Sequence, residues 1–219
     1  MTVNVRLVAR FGRLSIDIER VRAAHHLAED ALVKHDGRVD EWYAENLKRD
    51  PSDAEFLAYL HAEQKDDSTN GYPHVLRIAL FITAYSMLEF FMTSLCKELH
   101  AHVSGPQLNE LRGEGIQRAR LFLIKVARVA FPDTEEWSRL VLYGKLRNAL
   151  AHSFGDFAGN QNIEAIGQLR RRVGTFSQSA DLSTVTLGRD FNPTFLATVD
   201  SFRQQLDAAM GEYIVPQAT

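Results

Sequence analysis

The sequence predicts a mainly α-helical protein, a helical bundle with a small β-hairpin insert near the C-terminus. Apolar residues recur at helical spacing through most of the chain, most clearly between residues 73 and 102. Proline and glycine residues separate these segments at points where helices commonly end. Only two short runs near the C-terminus, 173–177 and 183–187, are rich in β-prone residues.

Residues 1–72 are expected to form an N-terminal helical extension with a short first strand. The odd-numbered positions from 3 to 11 are apolar and alternate with mostly polar residues, which favours the strand. Three helices are predicted after it: residues 15–34, stopped by Gly37; residues 40–50, ended by Pro51; and residues 52–64, capped by Ser52 with Glu55. Residues 66–72 are polar and contain glycine, so a loop is expected there.

Residues 73–155 are predicted to form the helical core. Pro73 suits the first position of a long helix, because its missing N–H would be unpaired there in any case. This helix is expected to reach about residue 102, before the break at residues 104–106, and one apolar stripe along it should be buried. The stripe consists of Leu76, Leu80, Ala84, Leu88, Phe91 and Leu95.

Two further amphipathic helices are expected within the core, after a joint bracketed by Gly113 and Gly115. They are residues 116–130, ended by Pro132, and residues 134–152, capped by Asp133 with Glu136 and followed by Gly155. Residues 156–219 are predicted to supply the β-hairpin and a last helix, from Asn192-Pro193 to about Tyr213, that packs on the core. The three segments are expected to form one compact domain.

The composition is that of an ordinary soluble globular protein, with 45% hydrophobic and 24% charged residues. Cys96 is the only cysteine, which excludes an intrachain disulfide and a cysteine-based zinc site. Polar residues interrupt the most apolar stretch, 78–95, so no membrane span is expected, and no signal-peptide pattern is present. We therefore expect a cytoplasmic protein without a membrane partner, a metal or another cofactor.

Basic residues are concentrated in one part of the chain. Residues 112–172 contain 11 Lys/Arg against 6 Asp/Glu, a balance of +5, whereas the whole chain has a net charge of −3. This favours an anionic partner at that segment. Chance scatter combined with an exposed arginine run at residues 170–172 would explain the same balance.

The segment 146–152, L-R-N-A-L-A-H, carries the clearest functional signal. Arg147 offers a planar cationic fork suited to phosphate oxygens, and His152 can exchange a proton near neutral pH. Asn148 lies four residues before His152, so it can fix the orientation of the imidazole. These residues point to binding or chemistry at a phosphate, with no metal required.

The spacing of Arg147 and His152, with Asn148 between them, resembles the R-x4-6-H signature of HEPN domains. Residues 84–89, A-Y-S-M-L-E, are similar to an A-Y-x-x-L-E segment in the long second helix of that family, and the matching sequence covers about residues 73–155. Some members have a tyrosine two residues after the histidine as a modification target of a paired antitoxin. Phe154 stands there in this chain, which argues against that regulation.

The resemblance implies a HEPN-like helical bundle that acts as a metal-independent endoribonuclease in bacterial toxin, abortive-infection or antiviral systems. Its partners would be RNA and an antitoxin or another defence-system protein. On one helix Arg147 and His152 lie about 140° apart, and HEPN domains solve this by forming homodimers with two Arg/His pairs around one cleft. Arg147 and His152 would then carry catalysis, with Asn148 as the orienting residue, and RNA cleavage would leave a 2′,3′-cyclic phosphate.

Two other classes of function remain open at this point. A non-catalytic HEPN-like module would use the same residues to bind a nucleotide, an RNA end or a partner protein. A plain helical interaction protein would instead bury Arg147 and His152 in a structural network. The bare signature also occurs at Arg20 and His25, which is interpreted as an exposed helix face. Glu89 fits either the cleft or a structural carboxylate, and Tyr85 is expected in the core.

Overall fold

The computed structural model describes residues 2–153, 162–179 and 184–211. These residues are mainly helical, with a two-stranded antiparallel hairpin near the C-terminus, so the predicted fold class is confirmed. The helices are α1 (Thr2–Arg49), α2 (Ala54–Asp66), α3 (Tyr72–His100), α4 (Gly115–Lys125), α5 (Glu135–Ser153), α6 (Ile163–Val173) and α7 (Phe191–Gly211). The strands are β1 (Phe176–Gln178) and β2 (Val185–Leu187). Phe154, Gly155 and the predicted last helical residue Tyr213 lie outside the described residues.

The N-terminal segment is one continuous helix, α1, of 48 residues. The predicted first strand and the predicted stop at Gly37 are therefore wrong. Leu7, Phe11, Leu14 and Ile18 follow helical spacing and are buried, and this stripe overrides the short alternation at the N-terminus. Gly37 lies inside the helix, and one interior glycine costs only about 1 kcal/mol relative to alanine, which packing readily offsets.

The chain passes from α2 into α3 without the predicted loop. The segment Asp67–Gly71 forms a π-helical turn that joins the two helices. Within it, the buried Ser68 hydroxyl donates a hydrogen bond to Oδ1 of Asp36 on α1, at 2.6 Å, which fixes the turn against that helix. Before α2, the side chain of Asp50 accepts a hydrogen bond from the Ser52 N–H, so the cap predicted at Ser52 is also wrong.

The long central helix α3 packs against α1, α4, α5 and α7. Its start at Tyr72 agrees with the prediction to one residue, and most of the predicted stripe is buried, although Leu76 is 39% exposed. By length and composition the stretch Pro51–His100 could cross a membrane. The core helix of a bundle meets the same criterion, and α3 occupies that position here.

The two helices that follow meet the prediction unequally. α4 ends at Lys125, before the predicted residue 130, because Arg128 has a φ of 59° that an α-helix cannot continue. α5 agrees with the predicted span to within one residue at each end. Its cap is the hydroxyl of Thr134, 3.5 Å from the backbone nitrogen of Trp137, whereas the predicted cap Asp133 forms an ion pair with Arg120.

A helix that the sequence reasoning did not predict, α6, precedes the hairpin. Ala165, Ile166 and Leu169 on one side of it are buried, and Gly174 ends it with a φ of 65°. The predicted hairpin follows and is confirmed, with Phe176 of β1 paired to Leu187 of β2.

One hydrophobic cluster among the described residues takes side chains from α1, α3, α4, α5, α6, the hairpin and α7. Its centre is aromatic: the rings of Phe81, Tyr143, Phe191 and Phe195 have centroids 4.9 to 6.0 Å apart. Tyr143 is the contribution of α5 to this centre. The core therefore fixes which side of α5 is buried and turns its opposite side, with Arg147, towards the surface.

Candidate active site

The last turns of α5 carry the three predicted site residues. The apolar residues between them, Ala149 and Leu150, are 2% and 1% exposed and anchor the helix in the core. Asn148 and His152 are exposed, and the side chain of Arg147 retains 27% of its exposure. A wholly buried structural role for this group of residues does not fit that arrangement.

The guanidinium of Arg147 is held from two directions. Its Nη2 donates to Oε2 of Glu89 on α3 at 3.3 Å, and its Nη1 donates to the carbonyl oxygen of Asn148 at 3.0 Å. Its carbon atom Cζ lies 5.9 Å from the centre of the Tyr85 ring, close enough for a cation–π contact. Arg147 is therefore positioned by residues of two helices rather than extended freely into solvent.

Tyr85 forms the floor beneath this group. It is 3% exposed, and burial, followed by the nearby Glu89 carboxylate, raises the pKa of its hydroxyl, which therefore stays protonated near neutral pH. Gly144, one turn before Arg147 along α5, lets the ring approach, because a Cβ there would overlap the Tyr85 hydroxyl. The expectation that Tyr85 belongs to the core rather than to the reacting groups agrees with this burial.

An open cleft of about 480 Å³ lies over Arg147 between α3, α5 and the start of α4. Its walls include Glu89, Lys145 and Asn148, and residues 113–117 close it from the α4 side. Gly115 has a φ of +50°, and a Cβ there would lie 2.5 Å from Oε1 of Glu89, so glycine is required at this close approach. The cleft thus combines cationic, carboxamide and carboxylate groups above an aromatic floor.

The structure brings Arg147 and Asn148 together but leaves His152 apart from them. His152 lies one helical turn beyond Asn148 and is not among the residues that line the cleft. The expected contact from Asn148 to the imidazole is not formed in the described part of the chain, where the Asn148 carbonyl instead accepts from Arg147. A single copy therefore places the arginine in the cleft and the histidine at its margin.

The second copy of the signature is not on an exposed face, as the sequence suggested. His25 is 3% exposed because it continues the buried positions of Val21 and Glu29 at a spacing of four residues. Burial lowers the pKa of His25 below its ordinary value, so the ring is neutral at pH 7. Its neighbour His26 is exposed. The prediction of a surface pair is correct for His26 and wrong for His25.

Sequence reasoning left Glu89 undecided and did not anticipate Lys145, Gly144 or the wall at residues 113–117. One signal was present, since Tyr85 and Glu89 are spaced i, i+4 and therefore share a face of α3. Which helix would face them could not be read from that spacing. Among residues 2–153, 162–179 and 184–211, no group of three His, Cys, Asp or Glu side chains is placed to hold a metal ion.

Comparison with known proteins adds no relative. No family model matches the chain, and neither a curated protein nor a solved structure matches it at a significant level.

Proposed function

We propose that this protein is a metal-independent endoribonuclease of the HEPN type, acting in the cytoplasm in bacterial toxin, abortive-infection or antiviral defence. One observation carries the proposal. Two separate segments that resemble that family, residues 84–89 and 146–152, meet in one open cleft, where Tyr85 and Glu89 contact Arg147. A core contact alone would not require a guanidinium, a carboxylate and a carboxamide at an accessible surface.

The chemistry follows from what RNA supplies. The ribose 2′-hydroxyl attacks the adjacent phosphorus while the bond from phosphorus to the 5′-oxygen breaks, which leaves a 2′,3′-cyclic phosphate and a 5′-hydroxyl. One imidazole removes the 2′-hydroxyl proton, and a second gives a proton to the departing 5′-oxygen. Arg147 stabilises the negative charge that develops on the phosphorane oxygens. His152, exposed at the end of α5, is the residue proposed for both proton transfers.

Two copies of the chain would supply the two imidazoles. The separation of Arg147 and His152 around α5 by about 140° prevents one copy from directing both at a single phosphate. We propose a homodimer in which the ends of two α5 helices approach each other, so that each His152 completes the cleft beside the other copy's Arg147. An antitoxin or another defence-system protein would act on this assembly.

A binding function is the second candidate, and the position of His152 favours it. The cleft in one copy contains Arg147, Asn148 and Lys145 without the histidine. Such a cleft can recognise the phosphate of a nucleotide or RNA end, or an acidic segment of a partner protein, with no proton transfer. The two candidates differ in what loss of His152 should do.

Substitution of His152 separates the candidates. In His152→Ala, RNA cleavage should fall by at least ~100-fold, the usual scale for lost general acid–base catalysis, with RNA affinity nearly unchanged. Arg147→Ala should weaken both, because it removes a phosphate contact as well as charge stabilisation. His26→Ala is the matched control, since His26 is exposed, whereas the buried His25 would confuse folding with function. Wild-type cleavage by His152→Ala, or RNA binding without any cleavage by the wild type, would refute the nuclease.

A further inference from the structure

A second pocket, of about 500 Å³, adjoins the candidate active site on the other side of Gly115. Gly115 contributes to the walls of both. The second pocket lies between the C-terminal half of α3 and the start of α4, and its polar lining includes Lys97, His100, Asn109 and Arg118. Cationic groups thus replace the acidic and neutral lining that Glu89 and Asn148 give to the first cleft.

The two pockets form one track along α3. Glu89 lines the first, and Thr93 and Lys97, at successive steps of four residues on the same face, line the second. Eight residues of helix correspond to about 12 Å, which a nucleic-acid strand crosses in a few nucleotides. On the opposite wall, Glu114 lines the first pocket and Arg118, four residues later, lines the second. A strand with one phosphate at Arg147 would therefore reach Lys97 and Arg118 without a change of direction.

The cations of the second pocket are available to a ligand. Within the described ranges, neither Lys97 nor Arg118 forms an ion pair with a carboxylate. The Nε of Arg118 donates to the Gly113 carbonyl at 2.7 Å, which fixes the guanidinium and leaves its two terminal nitrogens for an acceptor. The nearby Glu110 carboxylate is engaged instead with the backbone N–H of Gln107.

Two further features favour an anion at this place. The buried Nδ1 of His100 has no hydrogen-bond partner in the described part of the chain. The N-terminus of α4, at Gly115, has no side-chain cap on its first N–H groups, since Glu114 makes no capping bond. Helix N-termini carry partial positive charge and bind phosphate oxygens. These features add to the Lys97 and Arg118 cluster.

We propose that this pocket binds a backbone phosphate of the same RNA strand whose scissile phosphate lies at Arg147. The inference rests on the proposed function, because it extends the substrate of that site from one phosphodiester to a single-stranded segment of several nucleotides. Lys97 and Arg118 hold the phosphate, and recognition there is independent of base sequence, because only the backbone is contacted. The pocket positions the strand and takes no part in proton transfer.

Binding of an uncleavable RNA tests the proposal. The probe is a fluorescein-labelled 2′-O-methyl oligouridylate long enough to span both pockets, with a dinucleotide of the same chemistry as the short reference. For Lys97→Gln/Arg118→Gln, affinity for the long probe should fall by about tenfold or more at low salt, and the salt dependence should lose about 0.7 per phosphate contact. Affinity for the dinucleotide should stay within about twofold of wild type, because it reaches only the first cleft.

The matched control is Lys48→Gln/Arg49→Gln, which removes the same charge from the exposed end of α1 and should leave the affinity within about twofold of wild type. Lys97→Gln alone is measured as well, since Lys97 makes no ion pair in the described residues and its loss should not disturb folding. It should weaken binding by about threefold or more at low salt. Calorimetry with inorganic phosphate identifies a different ligand: phosphate binding that the double variant loses while its RNA affinity is unchanged would assign the pocket to a free anion and overturn the inference.

The outcomes also separate this inference from the nuclease proposal. Equal binding of the long RNA by the double variant and the wild type overturns the inference, whatever the cleavage activity. Binding that depends on Lys97 and Arg118 in a protein that cleaves no RNA supports the inference and refutes the nuclease. A wild-type protein that does not bind RNA would overturn both.

Discussion

At the scale of single residues, the charge of Arg147 is balanced before any substrate arrives. Glu89 accepts a hydrogen bond from its guanidinium, and the two side chains are each 27% exposed. A partly exposed pair of this kind is weak, so a phosphate can displace the carboxylate at modest cost. Glu89 therefore holds Arg147 in the cleft and competes with the ligand that we propose for it.

Removal of that competition should strengthen RNA binding. In Glu89→Gln the amide preserves the shape and loses the charge, so affinity for a 2′-O-methyl RNA should rise by about two- to fivefold at low salt, as measured by fluorescence anisotropy. Glu114→Gln is the control, since Glu114 lines the same cleft without contacting Arg147. It should produce a smaller gain. Equal gains in both variants, or weaker binding in Glu89→Gln, would show that Arg147 is not the phosphate contact.

Residue types and spacing predicted the exposed side of α5 but not the partners of its side chains. Arg147 and Asn148 could be placed together because they are adjacent in the chain. Glu89 lies 58 residues before Arg147, and nothing in the spacing tells which helix α3 faces there. His25 was misjudged for the opposite reason: charged residues surround it in the sequence, but they point to other sides of α1.

At the scale of elements, the approach of α3 to α5 depends on a missing side chain. The Tyr85 ring lies against Gly144, and a methyl group there would overlap its hydroxyl. A second tie joins other elements: the carboxylate of Glu29, 4% exposed on α1, accepts two hydrogen bonds from Arg77 on α3, at 2.7 and 2.9 Å. Arg77 also donates to the Leu187 carbonyl of β2. These contacts fix the frame on which the cleft is built.

Gly144→Ala should therefore destabilise the fold. The added methyl group has to push α5 from α3, which costs about 1–3 kcal/mol in a packed interior. Gly37→Ala is the matched control, because the same change at a helical glycine with open space around it should stabilise α1 by up to about 1 kcal/mol. Urea unfolding followed by circular dichroism measures both. A neutral or stabilising Gly144→Ala would contradict the close approach of the two helices.

The sequence located most helices but misjudged several junctions between them. The span of α5 was predicted closely because a capping region precedes it and an amphipathic pattern continues through it. α6 was missed although Ile163, Ile166 and Leu169 are spaced for one apolar face, because the arginines at 170–172 were interpreted as an exposed charge run. The turn at Asp67–Gly71 could not be predicted as helical, since the contact of Ser68 with α1 that fixes it is tertiary.

At the scale of the whole molecule, one core joins the N-terminal helix α1, the central helices and the C-terminal helix α7 among the described residues. The cleft lies at the surface of this core, and its proposed chemistry needs a second copy to bring another His152 to Arg147. The composition and the helical periodicity were sufficient to predict the fold class. The partner across the cleft could not be predicted, because a single sequence records no contact between copies.

Light scattering at micromolar concentration should show a dimer. His152 lies outside the cleft of one copy, so a site with two imidazoles requires the ends of two α5 helices to meet. A cysteine introduced by Ala151→Cys, at an exposed position beside His152, should form an intermolecular disulfide under mild oxidation, whereas Ala44→Cys on the exposed side of α1 should not. The native Cys96 is buried in both variants. A stable monomer in the presence of RNA would count strongly against the composite site.

The central claim is that the Arg147 cleft cleaves RNA through its own 2′-hydroxyl without a metal ion. The most direct measurement incubates the purified protein with a labelled RNA in excess EDTA and identifies the ends of the products by mass spectrometry. The same RNA with a 2′-deoxy nucleotide at the cleaved position is the matched substrate. We predict cleavage that persists in EDTA, products with 2′,3′-cyclic phosphate and 5′-hydroxyl ends, and no cut at the 2′-deoxy position. Cleavage that stops in EDTA and returns with magnesium or manganese, or that occurs equally at the 2′-deoxy position, would contradict the account.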